Sequence, residues 1–341
     1  MKTMKFFAVA LVSSLFFISC NEDDTNNNTD DNPQADATAQ LYASNTSNGA
    51  ITIYDVTDNQ IETKTLLTAS ASTEGIYYDA PRDQVIQASR TMNQLDAFGS
   101  ISATDSGLSA SLTFSSTSEF SSPRDIAVNS TGNTYVVSDN GNTQGRYFIF
   151  TKTDSGFTLR NTVTVDFPVW EIEFIGNDLY AVVDNSSDLV VFENFLANNT
   201  VDATVAPTKR VTVDGIVRTH GLAYDGTTMV MTDIGDAGSD LDGAFHIIPN
   251  FLATFSATAD GGNILVTDQL RFSGRQTSLG NPVSVDYDAT SNTVFIAEIA
   301  NGGGQVLIFQ NPTSNNVNSI IPKSQTLAGA SSVYFYREPQ S

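Results

Sequence analysis

The stretch Pro282–Pro312, PVSVDYDATSNTVFIAEIANGGGQVLIFQNP, limits most strongly what this chain can fold into. It contains three short segments rich in Val, Ile, Phe and Tyr, at Ser284–Asp288, Thr293–Glu298 and Gln305–Phe309. The residues between them are mostly Asn, Asp, Ser, Thr and Gly, which favour turns. The pattern therefore predicts three β-strands joined by a polar turn and a glycine-rich loop.

The same pattern recurs along the chain. Six segments begin a unit in this style, and their successive starts lie 50, 46, 50, 63 and 48 residues apart. A period of about 40–50 residues, with several short strands in each unit, is typical of a β-propeller in which each unit forms one blade. The six segments are Gly75–Asp79, Asp125–Asn129, Glu171–Ile175, Gly221–Asp225, Ser284–Asp288 and Ser332–Tyr336.

The first five units each contain apolar segments that predict three further strands. The predicted second strands are Gln84–Ser89, Thr134–Asp139, Asp178–Asp184, Thr228–Asp233 and Thr293–Glu298. The predicted third strands are Gln94–Gly99, Arg146–Lys152, Asp188–Glu193, Ala244–Ile248 and Gln305–Phe309. The predicted fourth strands are Ser109–Phe114, Thr158–Val165, Lys209–Val213, Ile264–Phe272 and Ser324–Leu327.

The two ends of the repeat complement each other. Ser332–Tyr336 is a first strand with only the C-terminus after it, whereas Gln40–Ser44, Ala50–Val56 and Thr63–Leu67 are a second, third and fourth strand without a first. Joining them completes one blade and removes open sheet edges that invite aggregation. We therefore predict an all-β, six-bladed propeller over residues 40–337, closed by its N- and C-terminal strands, with a short tail at 338–341. A β-sandwich would explain neither the six periods nor the complementary ends.

The units resemble NHL-type repeats. A first strand such as Pro123–Asn129, PRDIAVN, and second strands that end in V-x-D carry this resemblance, as do tails such as Leu307–Asn311, LIFQN. The resemblance covers about Gln40 to Arg337 and implies the same propeller fold.

Composition agrees with a β-rich surface. Only 16% of the residues are charged, so Ser, Thr, Asn, Asp and Gly must supply much of the surface, and no long amphipathic helix is visible. The formal charge is −22, and it becomes −24 without residues 1–19, which hold two lysines and no acid. Such an acidic surface repels polyanions, so nucleic acid is not expected as a partner. The charge could attract divalent cations or simply keep the protein soluble.

The N-terminus has the features of an export signal. Lys2 and Lys5 precede an apolar run from Phe6 to Ile18, which is too short to span a bilayer stably. The run ends in Leu15–Cys20, LFFISC, which resembles a bacterial lipoprotein signal. That resemblance implies a signal peptide at 1–19 and lipidation of Cys20, the only cysteine in the chain. A lipid chain at Cys20 would anchor the protein to a membrane.

A polar segment follows Cys20. Residues 20–39 are rich in Asn, Asp and Thr and cannot bury apolar surface, so they predict a disordered acidic tether. The acidic run Asn21–Asp24, NEDD, resembles the surface-export signal of Bacteroidetes lipoproteins. This implies an outer-membrane lipoprotein on the cell surface, with the periplasmic face as the alternative, and we expect a monomer.

One face of a propeller usually carries the ligand site, because the loops that lead into the first strands and follow the second strands gather there. Glu74, Arg124, Trp170 and His220 lead into first strands in this chain, and Glu171 follows Trp170 directly. We expect these residues around the channel mouth. Trp170 could stack on a sugar or peptide, or it could plug the channel. His220 could bind a metal, act as a base, or simply pack.

The same residues suggest an enzymatic alternative. Glu74–Asp79, EGIYYD, looks like the E-G-P-x-W-D motif of the gluconolactonase/senescence-marker family, and His220–Ala223, HGLA, looks like its N-G-L-A. The resemblance implies a divalent cation held by Glu74 and two further ligands, and hydrolysis of a lactone or ester. This chain has His220 in place of the ligating Asn, and Val283 where the family has a ligating Asp.

A second cation site is conceivable in the loop Asp233–Gly243, DIGDAGSDLDG. Its carboxylates Asp233, Asp236, Asp240 and Asp242 could gather around Ca²⁺, or they could stabilise turns. Their spacing does not match an EF-hand. Taken together, the sequence favours a non-catalytic binding or scaffold module for a protein or glycan, with a metal-dependent lactonase or esterase as the alternative.

Overall fold

The structure is a computed structural model that describes residues 37–141 and 144–339. It forms six small sheets arranged as a six-bladed β-propeller, which confirms the predicted fold class. The predictions for residues 1–36, including the signal peptide, Cys20 and most of the tether, lie outside the described residues, as do the last two residues of the tail. No helix among the described residues is long and apolar enough to cross a bilayer.

The first three complete blades follow three strands at the N-terminal end of the ring. The chain begins with β1 (Ala39–Asn45), β2 (Ile51–Asp55) and β3 (Glu62–Leu66). Blade 1 contains β4 (Thr73–Asp79), β5 (Gln84–Ser89), β6 (Gln94–Gly99) and β7 (Ser111–Ser115). Blade 2 contains β8 (Pro123–Val128), β9 (Thr134–Asp139), β10 (Arg146–Thr153) and β11 (Gly156–Thr164). Blade 3 contains β12 (Val169–Ile175), β13 (Asp178–Val183) and β14 (Asp188–Phe192), followed by helix α1 (Phe195–Asn198), β15 (Ala203–Thr204) and β16 (Lys209–Val213).

The remaining strands complete the ring. Blade 4 contains β17 (Leu222–Asp225), β18 (Thr228–Asp233) and β19 (Ala244–Ile248), followed by helix α2 (Phe251–Ala257), β20 (Asn263–Ile264) and β21 (Leu270–Ser273). Blade 5 contains β22 (Pro282–Asp288), β23 (Thr293–Glu298), β24 (Gln305–Gln310) and β25 (Lys323–Thr326). The last strand, β26 (Ala330–Arg337), pairs with β1, so blade 6 has the order β26-β1-β2-β3.

The closure therefore joins the first and last strands of the propeller, as predicted. Strands β1 and β26 run antiparallel from Ala39 opposite Arg337 to Asn45 opposite Ala330, with one register shift. Arg337 also forms an ion pair with Asp288 in blade 5, with 2.5 Å between Nη2 and Oδ2. The closing strand is thus held by its own sheet and by the preceding blade.

The core lies between the blades. Successive side chains of a strand point to opposite faces of its sheet, so every blade contributes apolar residues to both neighbouring junctions. The buried residues form six clusters, each shared by two adjacent blades. Strands of alternating Val, Ile, Phe and Tyr therefore suffice to hold the ring together.

Three of the connections between third and fourth strands contact the preceding blade. Strand β15 pairs with β11 of blade 2, and β20 pairs with β16 of blade 3. Leu108 in blade 1 accepts a hydrogen bond from the backbone of Leu67 beside blade 6. Helices α1 and α2 lie in two of these connections, and the sequence did not predict them because each is only one or two turns long.

One predicted strand was wrong for this reason. Ile264–Phe272 was expected to be the fourth strand of blade 4. Instead, Ile264 pairs with Val213 of blade 3, a short 3₁₀ turn follows at Val266–Asp268, and the fourth strand begins only at Leu270. The apolar run serves two blades in succession, which its composition alone does not reveal.

Candidate functional site

The residues that lead into the first strands meet on one face, which we call the top face. There Glu74 of blade 1 accepts hydrogen bonds from two arginines. The distances to Oε2 are 2.5 Å from Nη1 of Arg90 and 3.1 Å from Nη1 of Arg124. Glu74 is buried. Burial raises the pKa of Glu74, and the two guanidinium groups act in the opposite direction. Two cations of the chain itself therefore lie where the lactonase resemblance would place a metal ion.

Arg124 continues into a stack of three side chains. Its guanidinium carbon lies 3.9 Å from the centre of the Trp170 ring. The opposite face of Trp170 stacks on His220, with 3.6 Å between ring centres and 9° between ring planes. Trp170 and His220 are both buried. Of the two roles considered for Trp170, the geometry matches the plug, since the ring is not open to a ligand.

His220 is held from the side by Asp184. Its Nε2 lies 3.1 Å from Oδ1 of Asp184, which also accepts a bond from Arg218. Burial lowers the pKa of His220 to about 4, so the ring is neutral at neutral pH. Burial alone would raise the pKa of Asp184, but the hydrogen bonds from His220 and Arg218 lower this pKa to about 2. Because His220 is neutral, Arg218 carries the charge that faces Asp184. His220 and Asp184 are both buried and bonded to each other, so neither side chain is open to solvent.

The third position of the expected metal site holds no ligand. Val283 is buried in the apolar cluster between blades 5 and 6. Within residues 37–141 and 144–339, no three His, Cys, Asp or Glu side chains come close enough together to hold a metal ion.

Three acids of the loop Asp233–Gly243 accept hydrogen bonds from backbone N–H groups. Asp233 is fully buried, and its Oδ1 accepts bonds from the backbone N–H groups of Val217, Arg218 and Gly235. Oδ1 of Asp236 accepts a bond from the N–H of Gly238, and Oδ2 of Asp242 accepts one from the N–H of Asp236. Asp240 contributes its backbone carbonyl to Asn301. The described geometry matches the turn-stabilising role that the sequence left open.

Below the plug, the six first strands enclose a cavity of about 640 Å³. Glu171, the remaining sequence candidate, lines it together with Asp125, Glu173 and Asp286. Gly221 leaves room for Glu171, since a Cβ at Gly221 would lie 3.0 Å from its Oε2. The cavity walls also include Tyr77 and Tyr334, whose ring centres are 4.8 Å apart. Of these four acids, only Glu171 was among the sequence candidates.

Each channel acid bonds the next blade. Asp125 accepts a bond from the N–H of Ile172 at 3.0 Å, and Glu171 accepts one from Leu222 at 2.7 Å. Glu173 does the same with Tyr224 at 2.6 Å, and Asp286 with Phe335 at 2.5 Å. These bonds connect neighbouring first strands around the channel. They give the acids a role in the ring that the sequence analysis missed.

Burial strongly raises the pKa values of these four acids. It raises the pKa of Asp125 and of Asp286 to about 7. It also raises the pKa of Glu171 and Glu173 well above the ordinary value, and the neighbouring acids add to the effect. The sequence signal was available, because the acids stand at alternate positions of apolar strands, as in Glu171–Phe174, EIEF. Alternation places such positions on one face, here the channel face.

Comparison with known proteins bears on the fold. No protein-family profile matches the chain, and no curated protein matches it. Among solved structures, a chain of the nidogen/laminin complex aligns over 87% of this chain and 98% of its own length, with a TM-score of 0.57 and 12% identity. A "putative 6-phosphogluconolactonase" from Bacteroides fragilis NCTC 9343 aligns over 89% of this chain and 85% of its own, with a TM-score of 0.50 and 10% identity. At these identities the similarity to both proteins shows the β-propeller fold alone.

Proposed function

We propose that this chain is a lipid-anchored protein of the cell envelope whose propeller binds a partner on its top face without catalysing a reaction. The observation that carries the proposal is the saturated cluster on that face. Glu74, Trp170 and His220 are buried and engaged by Arg90, Arg124 and Asp184. A catalytic site needs such groups to be open to substrate, whereas a rigid binding platform does not.

The rim around the plug has the composition of a protein interface. Arg90, Arg124, Arg146 and Arg218 are all partly exposed there. Met92 and Val217, which are 52% and 66% exposed, lie in top-face loops beside them. Arg and Met are among the side chains that are enriched where proteins bind each other. Between the protein and glycan partners that the sequence left open, these residues favour a protein. The nidogen/laminin neighbour comes from a complex of two proteins, which is compatible with this use of the fold.

The described chain enters the propeller at the face opposite the top face. Strand β1 begins at Ala39, opposite Arg337 and so at the end of the ring away from the top face. We infer that a lipid anchor at Cys20 holds the protein, as a monomer, in the cell envelope. The cell surface is the proposed location, with the periplasmic side of the envelope as the alternative.

The proposal is tested by photo-crosslinking in intact cells. A photoreactive p-benzoylphenylalanine replaces Met92 or Val217 on the rim, or Val201 or Ile321 away from it. The last two are matched controls, since they are 68% and 71% exposed and lie in third-to-fourth connections. We expect the same discrete protein adduct from both rim positions and none from the controls. Equal adducts from all four positions, or none from the rim, would refute a top-face partner.

A metal-dependent lactonase or esterase is the second candidate, favoured by one observation. Glu74 and the motif that follows it lie at the channel end, where that resemblance places the first metal ligand. Calcium or another divalent cation would be the cofactor. The arginines on Glu74 and the apolar Val283 speak against such a site.

Thermal melting separates the two candidates. A ligand that binds the native state raises the melting temperature. For a propeller without a metal site, we therefore expect the melting temperature of the purified protein to stay within about 1 °C when EDTA is added and when Ca²⁺ is then restored in excess. Gluconolactone and a chromogenic ester serve as substrates, with and without Ca²⁺. A calcium-dependent rise of several degrees together with hydrolysis that Glu74→Gln abolishes would establish the enzyme and overturn our preference.

A further inference from the structure

Three blades receive an additional outer strand or bridge from the next blade, which we call the fifth strand. β15 pairs in parallel with β11 of blade 2, and β20 pairs in parallel with β16 of blade 3. Ser109 makes the same parallel contact with Leu67, directly after β3 of blade 6. Each contact lies at the C-terminal end of a fourth strand, as at Thr164 and Val213. The ring therefore uses one device three times to cover an outer edge.

The outer strand of blade 1 lacks this cover. The connection in blade 2 that would supply it is a tight turn, since β10 ends at Thr153 and β11 begins at Gly156. In the part of the chain that the structure describes, β7 is therefore the end of its sheet. Ser116 donates its backbone N–H to Leu95 on the β6 side. Because successive backbone groups of a strand point in alternate directions, the N–H of Ser115 points to the open side.

The corresponding groups of the covered blades are hydrogen-bonded. In blade 3 the N–H of Thr212 donates to the carbonyl of Gly262, beside β20, at 3.0 Å. After β3 of blade 6, the N–H of Leu67 donates to the carbonyl of Leu108 at 2.9 Å. Ser115 thus presents, at the open edge of blade 1, the kind of donor that a fifth strand uses elsewhere in this ring.

The junction beside this edge also has apolar side chains that are incompletely buried. Phe114, Phe157 and Leu159 pack against the apolar cluster between blades 1 and 2 but remain partly exposed. In the junction between blades 3 and 4, Ile264 of the fifth strand is itself fully buried in the cluster. On β7, Leu112 is 49% exposed. A strand added at this edge would therefore gain backbone hydrogen bonds and apolar contact together.

The other outer strands without a fifth strand carry charges that β7 lacks. β21 and β25 also end their sheets, and they contain Arg271 and Lys323, respectively. By contrast, Ser111–Ser115, SLTFS, contains no charged residue. Charged side chains on an edge strand oppose its pairing with another chain. The edge of blade 1 has no such protection.

We propose that an extended segment of a protein partner pairs with the C-terminal end of β7 and forms the fifth strand of blade 1. This inference rests on the top-face partner proposed above and names the conformation in which that partner binds. By analogy with β15 and β20, the segment runs parallel to β7 and places an apolar residue against the junction between blades 1 and 2. In such pairing, main-chain hydrogen bonds supply affinity and the side-chain contacts supply specificity.

The open edge is continuous with the rim of the top face. Ser118, three residues after the end of β7, donates its hydroxyl to the carbonyl of Met92 at 3.1 Å. Met92 is one of the exposed residues that define the proposed protein interface. A single partner can therefore contact the rim and extend a segment along β7.

The test removes one backbone N–H group. Ser115→Pro deletes the outward donor and puts the pyrrolidine ring in its place, which an edge strand tolerates where that N–H faces solvent. Ser115→Ala is the matched control, because it keeps the N–H and loses the same hydroxyl bond to Asp96, which is 2.7 Å long. We expect the melting temperatures of the two variants to lie within about 4 °C of each other.

Photo-crosslinking in intact cells provides the readout. p-Benzoylphenylalanine replaces Leu112 in the otherwise unchanged chain and in both Ser115 variants. We expect a discrete adduct with the same protein that the photoreactive group at Met92 captures. Ser115→Ala should keep the yield of this adduct, and Ser115→Pro should lower it roughly tenfold, the effect of a lost hydrogen bond and a blocked edge. If Ser115→Pro does not fold, Thr113→Lys replaces it, with Thr113→Ser as its control, and the lysine variant should lower the yield.

Several results would overturn strand pairing. They are the absence of an adduct from position 112, a full yield in Ser115→Pro or in its replacement Thr113→Lys, and an equal loss in the variant and its control. Mass spectrometry that identifies the captured segment as residues 20–36 of this chain, or as a second copy, also overturns it. An adduct from position 92 that survives when the adduct from position 112 is absent retains the top-face partner and refutes its pairing with β7. Absence of both adducts refutes the two proposals together.

Discussion

Removal of residues 330–341 will abolish cooperative unfolding of the propeller. The deletion takes away β26, which pairs with β1 along its whole length and buries Val333 between blades 5 and 6. It also removes the hydroxyl of Ser332, which accepts a hydrogen bond from the N–H of Gly75 at 2.7 Å and so links blade 6 to blade 1. The ring would then have an open gap. Since domains are stable by only about 5–15 kcal/mol, we expect the loss to exceed the total.

Circular dichroism during heating checks this expectation. Deletion of residues 339–341 alone is the control and should leave the transition unchanged, because β26 ends at Arg337. A synthetic peptide of residues 330–341, added to the truncated protein, should restore a cooperative transition in a concentration-dependent way. A truncated protein that melts sharply within a few degrees of the full chain would show that closure is not needed for stability.

The second large effect is a loss of stability as pH rises above 6.5. The pKa of Asp125 and of Asp286 is raised to about 7 in the folded chain, and the pKa of Glu171 and of Glu173 is raised well above its ordinary value. The folded state therefore holds protons that the unfolded state has already released. This contribution is fully present below about pH 4 and is lost as pH rises through the folded pKa values.

The free energy of unfolding should be measured between pH 6.5 and pH 8.5. Burial lowers the pKa of His220 and His246 to about 4, so their opposing contribution acts mainly below pH 6.5. Across the window each aspartate should cost roughly 1 kcal/mol of unfolding free energy, and the glutamates add to this. Asp286→Asn and Glu173→Gln should each raise the melting temperature at pH 8.5 and flatten its pH dependence. Asp58→Asn removes an exposed charge and is the control. If stability is flat in the wild-type protein, or if Asp58→Asn has the same effect, the channel acids are not the cause.

The sequence was sufficient for the architecture because the propeller repeats a local pattern. The first strand Ser284–Asp288 was predicted two residues short of its observed start, and four of the five predicted second strands match the observed bounds. Each strand carries its own alternation, so its existence does not depend on distant residues. The prediction of one strand at Ile264–Phe272 was wrong because Ile264 pairs with Val213, which belongs to another blade. No local signal in the sequence distinguishes the two sheets.

The candidate site was only half predictable. Position in the repeat grouped Glu74, Arg124, Trp170 and His220, since each leads into a first strand, and these four side chains contact one another in series. Their roles depended on what they touch. Neither the second arginine on Glu74 nor the stacking of His220 on Trp170 can be read from spacing, because the partners come from different blades and turns. The channel acids are predictable from alternation, because the residues at alternate positions of an innermost strand share one face, which here lines the channel.

The closure also decides how the propeller would respond to mechanical force. A pull on the N-terminal segment acts at β1, which is the central strand of blade 6 between β26 and β2. At its start, the carbonyl of Thr38 accepts a bond from Glu338, and the carbonyl of Ala39 accepts one from Val56, so both neighbours grip the first residues. A load along the strand must therefore shear two rows of hydrogen bonds at once, instead of peeling an edge strand bond by bond. A protein tethered by this end would transmit drag to a strand that is hydrogen-bonded along both sides.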